Sequence, residues 1–173
     1  MDTIVWILIL LTAFNFLLKQ TFWKPVAVGA AAGIAAIFVI LMWPYAIEQS
    51  KTQIADWLSD NQLMLDTSVV LTLEIVLQMA FCLLAVHVAN YSPVKKRMML
   101  AYRLLYWFPG VLIIPVLFFG LTQAVFSVPG VSFKLIAWFF GAFVFVIIPL
   151  GRWLIKWLLP EEDLRLELFF LTN

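Results

Sequence analysis

Glu74 is the residue whose chemistry is hardest to accommodate in this chain. It stands inside the apolar stretch 63–88, which contains no Lys or Arg. A carboxylate at membrane depth must be protonated, paired with a group from elsewhere in the fold, or open to a polar cavity. On a helix, Thr67, Glu74, Gln78, Phe81 and Ala85 fall within about 60° of one another. That face is polar in its outer half, and Phe81 interrupts it before Ala85. Glu74 lies eleven residues in from Leu63, about 16 Å at 1.5 Å per residue, which sets it near the midplane of a bilayer.

Three chemistries compete for this acid. It serves as a hydrogen-bonding contact between helices or subunits, as a proton or cation relay, or as a substrate-binding group. The contact is the most economical, because a relay needs further titratable groups along its path. Asp66 is the only other acid on this helix and lies near the surface, while His87 points to roughly the opposite face from Gln78. Arg103, Arg152 and Lys134 sit near the ends of their segments, where long side chains snorkel to the interface. Gln78, one turn along, is the expected internal partner of a neutral Glu74. The absent counter-charge predicts a partner on another helix or another chain.

Other chemistry-bearing residues are sparse. Cys82 is the only cysteine and His87 the only histidine, so neither a metal set nor paired haem ligands can be assembled. Asn90-Tyr91-Ser92 has the form of a glycosylation sequon, but Pro93 follows it. No nucleophile elbow, P-loop or carboxylate dyad is present. The expectation is a protein that is not an enzyme and uses no cofactor.

The elements that must hold these residues are membrane-spanning helices. Of the 173 residues 65% are hydrophobic and 12% charged, with a mean hydropathy of +1.04, far outside the range of soluble domains. A net charge of +1 argues against a nucleic-acid partner. The pattern predicts an all-α integral membrane protein, a single five-helix transmembrane bundle with spans at about 4–18, 25–47, 63–88, 99–126 and 132–159. The first span lacks a positive leading segment and a small-residue cleavage site, and is expected to be retained. Segment 48–62 is the longest polar connection. As a helix, its Ile47, Ile54 and Leu58 share a face, so it is expected to lie on the outer membrane surface.

Orientation follows from the basic residues. Lys19, Lys24, Lys95, Lys96, Arg97, Arg103, Arg152, Lys156 and Arg165 fall on one side, with only Lys51 and Lys134 on the other. Positive charge collects in cytoplasmic loops, which predicts an outside N-terminus and a cytoplasmic C-terminus. Lys95, Lys96, Arg97, Arg103 and Arg152 are then expected at the cytoplasmic interface, in contact with lipid. In the second span Gly29-x-x-x-Gly33 lets helix backbones approach closely, within the chain or against another subunit. Pro109-Gly110 and Pro115 in the fourth span predict a packing kink, with a broken helix at a binding site as the sharper alternative. In the tail 160–173, Glu161, Glu162 and Asp163 follow Pro160 like the first turn of a further helix. The expected function is a small membrane subunit of a larger assembly, hetero- or homo-oligomeric, for transport or energy coupling. The expected location is a bacterial cytoplasmic (inner) membrane. The alternative is an ion- or proton-coupled transporter or channel that titrates Glu74.

Overall fold

The computed structural model describes residues 2–48, 61–90, 95–128 and 130–173, and their side chains except those of 2–5, 61–64, 66 and 67. The expected surface segment 48–62 therefore lies almost wholly outside the described residues. So do residues 91–94 and 129 of the connections after the third and fourth spans.

Eight helices and no strands occur among the described residues. They are α1 (Asp2–Gln20), α2 (Pro25–Leu41), α3 (Trp43–Glu48), α4 (Asn61–Asn90), α5 (Lys96–Trp107), α6 (Ile113–Ser127), α7 (Phe133–Leu158) and α8 (Glu162–Leu171). Within α4 and α7, the stretches Ser68–Asn90 and Phe133–Leu158 are long and apolar enough to cross a membrane. Trp6–Gln20, Pro25–Leu41 and Ile113–Ser127 are apolar but shorter. The outward faces of the two long helices carry exposed Leu73, Val76, Leu83, Phe139, Phe143 and Val146. Such a surface suits hydrocarbon rather than water.

Two of the expected spans are divided. Span 25–47 is α2 followed at once by α3. Span 99–126 is not one kinked helix but two, α5 and α6, separated by residues 108–112. The local sequence explains the second break. Proline disfavours helical geometry in the residue before it, and Phe108 is extended at φ −74°, ψ 109°. Gly110 then takes φ +96°, a conformation that side-chain-bearing residues rarely adopt.

The first core cluster joins α1, α2, α3, α6 and α7, with Val28, Ala32 and Val39 of α2 buried along with Ala137, Val144 and Ile148 of α7. Gly141 makes the α2–α7 approach possible. A Cβ there would lie 2.8 Å from Cγ1 of Ile40 and 3.3 Å from the carbonyl oxygen of Ala36. The second cluster gathers Leu18, Phe81, Cys82, Ala85, Ile155 and Phe169. Phe169 belongs to α8, which folds back after Pro160 and buries its apolar side in the bundle. Its first turn carries Glu162 and Asp163, favourable at a helix N-terminus. Arg165 Nη1 ties it down by donating to the carbonyls of Leu159 and Pro160 at 2.7 and 2.8 Å.

The link between α1 and α2 is also locked. Trp23 Nε1 donates to the Tyr106 carbonyl and Tyr106 O–H donates to the Phe22 carbonyl, both at 2.7 Å. Arg152 donates from Nε to the Gln20 carbonyl at 3.2 Å and from Nη2 to the Trp23 carbonyl at 3.0 Å. Arg152, expected at the lipid interface, is thus engaged in holding two helices together.

Candidate functional site: the Glu74 junction

Glu74 lies on the part of α4 that faces the break between α5 and α6, and only 5% of its surface is exposed. Its Oε2 accepts the backbone N–H groups of Val111 and Leu112, each at 2.8 Å. Its Oε1 accepts Nε2 of Gln78, also at 2.8 Å. Leu112 is the N-cap of α6, so the carboxylate is seated where a helix begins. Backbone donors there lack helical acceptors and the helix dipole favours negative charge.

Among the described residues, the partners of this buried acid are therefore main-chain donors and one amide rather than a cation. Gly110 permits the close approach. A Cβ at that position would fall 2.6 Å from Glu74 Oε1 and 3.2 Å from Gln78 Nε2. Both its positive φ and the proximity of the carboxylate demand glycine.

A cavity of about 90 Å³ adjoins the junction; its lining is largely apolar, with Thr12, Asn15, Glu74, Gln78, Thr172 and Asn173 as its polar residues. Asn15 Nδ2 donates to the Thr172 carbonyl at 3.0 Å, and Thr172 Oγ1 donates to Asn15 Oδ1 at 2.6 Å. The end of α8 is thus pinned to α1 at the edge of the cavity. Gln78 is 7% exposed, and its Oε1 is buried without a hydrogen-bond partner among the described residues.

One turn beyond Asn15 on α1 lies Lys19, 2% exposed, with no hydrogen-bond partner at Nζ among the described residues. Its ammonium sits over the Phe81 ring, 2.9 Å from the centroid, and 5.5 Å from that of Phe169. Aromatic faces attract cations electrostatically. Phe81, expected only to interrupt the polar face of α4, is the platform for this amine. Lys19, counted from sequence among the charges of a cytoplasmic loop, is inside the bundle.

No protein-family model, curated protein or solved structure matches this chain.

Of the expected seam, Glu74 and Gln78 are brought together, and the Thr67 side chain lies outside the described residues. Gly29 and Gly33 are elsewhere, on a flank of α2 where an added Cβ meets nothing within 4 Å. Lys95, Lys96, Arg97 and Arg103 are exposed along α5. Sequence reasoning missed Thr12, Asn15 and Lys19, which recur at helical spacing on one face of α1. That spacing was the available signal. No group of three or more His, Cys, Asp or Glu residues that could hold a metal ion occurs among the described residues.

Proposed function

We propose that this chain is a five-pass integral membrane protein of a bacterial cytoplasmic membrane, with its N-terminus outside and its C-terminal segment folding into the bundle from the cytoplasmic side. The passes are α1, α2 with α3, α4, α5 with α6, and α7. It acts as a small subunit of a larger membrane assembly for transport or energy coupling, and it contributes helix contacts rather than catalysis. The observation that carries this reading is the clip between Glu74 and the Val111 and Leu112 amides. A carboxylate engaged by main-chain donors from another segment is working as a structural fastener, and it holds open a broken helix that could not otherwise persist in hydrocarbon.

The contact surface for neighbours lies along α2. A groove of about 830 Å³ runs between that helix and the break, with Ala27, Ala30, Ala31 and Trp107 in its walls. Together with the open Gly29–Gly33 flank it offers small residues, which let another helix approach closely. Gentle solubilisation followed by native mass analysis tests the reading, with co-purifying membrane proteins or copies of this chain as the expected result. A lone, stable monomer with intrinsic transport activity would overturn it. Thiol labelling of single cysteines placed at Lys96 and Lys134, in a Cys82→Ser background, tests the orientation.

A second reading is favoured by the cavity that adjoins Glu74. In it Glu74 is the titrating group of an ion- or proton-coupled transporter, seated like a binding residue at a discontinuous helix. Glu74→Gln separates the two. Assembly survives that change in the first reading, and proton-coupled transport disappears in the second.

A further inference from the structure

The groove beside α2 has one charged end. Of the residues that line it, Lys24 alone carries a charge, and the others are apolar. Its floor is a stripe of small side chains, Ala27, Ala30 and Ala31, continued at helical spacing by Ile34 and Phe38. Trp107, Ile114 and Leu117 raise the opposite wall. Val26, Ile34 and Trp107 are all exposed, so the groove is open to whatever surrounds the bundle.

The balance at the Lys24 end is positive. Lys24 is exposed and its side chain makes no cap on α2. It follows Trp23, whose ring centroid lies 5.6 Å from that of Trp107. Arg103, also exposed, stands one turn before Trp107 on the same face of α5. Glu162 of α8 acts on the neighbouring Tyr106, but Arg152 acts there with the opposite sign. The connection 91–94 adds no acid, and segment 49–60 begins beyond α3, at the other end of α2.

Length and charge together choose the occupant. From Lys24 to Phe38 the groove follows α2 for fourteen residues, about 21 Å at 1.5 Å per residue. Half of a bilayer, headgroup layer included, is about 20–22 Å thick. A neighbouring helix would answer Lys24 only if it placed an acid at that level. An anionic phospholipid carries the charge and the apolar chain in the order and at the spacing that the groove presents.

We propose that the groove between α2 and the α5–α6 break holds an acyl chain of one anionic phospholipid, with its phosphate at Lys24 and Arg103 and its chain tip at Phe38. The proposal rests on the chain being membrane-embedded. It deepens the reading of α2 as a contact surface, because the lipid fills the groove and leaves the Gly29–Gly33 flank beside it for a neighbouring helix.

The test uses the full chain, purified in detergent, depleted of lipid and followed by native mass analysis. Dioleoylphosphatidylglycerol or dioleoylphosphatidylcholine is added at equal concentration. One phosphatidylglycerol should be retained per chain, preferred over phosphatidylcholine by about 30-fold, the two cations contributing about fivefold each. Lys24→Gln should lower that preference about fivefold. Lys96→Gln, exposed on α5 and outside the groove, should leave it unchanged. Ala30→Trp, which fills the exposed floor, should abolish retention without lowering Tm. Equal retention of the two lipids, equal losses in the two lysine variants, or undiminished retention in Ala30→Trp overturns the proposal. So does the loss of a bound protein rather than a lipid in Ala30→Trp. Failure of the membrane reading shows separately, as a chain that stays monodisperse without detergent.

Discussion

Replacing Glu74 by leucine or by glutamine keeps the side chain's size and separates its hydrogen bonding from its volume. Leucine removes the acceptor for three donors, the amides of Val111 and Leu112 and Nε2 of Gln78. Each donor left unsatisfied costs about 1–3 kcal/mol where water does not replace the partner. The sum is about 3–6 kcal/mol, allowing for the partial exposure of Val111. Glutamine behaves differently. Its carbonyl oxygen can receive both amides in place of Oε2. Its NH₂ then faces Gln78, whose amide need only turn over to present the Oε1 that is otherwise unpartnered. The Glu74→Gln chain should therefore lie within about 1.5 kcal/mol of the parent. Thermal unfolding in detergent reads the difference, about 2–4 °C per kcal/mol for a chain of this size. The leucine variant should melt below the glutamine variant by about 3–24 °C. Equal Tm values for the two would refute the claim that the carboxylate fastens the break.

Further substitutions probe the framework. Gly110→Ala forces a Cβ to within 2.6 Å of Glu74 Oε1 at φ +96° and should cost about 2–4 kcal/mol. Gly29→Ala and Gly33→Ala, made as controls in open space, should leave unfolding unchanged or raise stability by about 0.5–1 kcal/mol each through helix propensity. Arg152→Leu removes both donations to the α1–α2 link and should lower stability by about 3 kcal/mol. Arg152→Lys should restore only part of that in the same unfolding assay, since a single ammonium cannot copy the guanidinium fork. Lys19→Met exchanges an amine that has no hydrogen bond among the described residues for a thioether that suits the Phe81 face. It should be neutral or stabilising by about 1–4 kcal/mol, and a clear loss of Tm would show that the amine has a partner the aromatic contact does not account for.

How far the sequence could be read is clearest at Glu74. Its need for a partner and its bond to Gln78 were legible, because they follow from side-chain types at helical spacing. The decisive partners were not, because main-chain N–H groups are identical at every position. They become special only where Pro109 and Gly110 interrupt a helix. Sequence marks that interruption but cannot say which side chain will reach it. The stripe of Thr12, Asn15 and Lys19 was readable in principle. It was obscured by assigning Lys19 to a loop on charge alone, a rule that holds for exposed lysines and fails for one covered by aromatic rings. The helical character of the tail could be read from its acidic first turn and the leucines behind it. Its docking depends on Asn15 lying far away in sequence, and no local pattern reports that.

The clip has a consequence for the order in which the chain is made. Glu74 and its amide partners are separated by 37 and 38 residues, so α4 is synthesised well before they exist. At ribosomal speeds of about 5–20 residues per second, that interval lasts about 2–7 s. Throughout it the helix must either enter the membrane with its acid protonated or wait at the interface with its acid in water. The arrival of the broken helix ends the delay by supplying the N–H groups. Biogenesis of the bundle thus contains a dependency that the finished fold conceals: the Glu74 clip cannot close until the segment two helices downstream has been born.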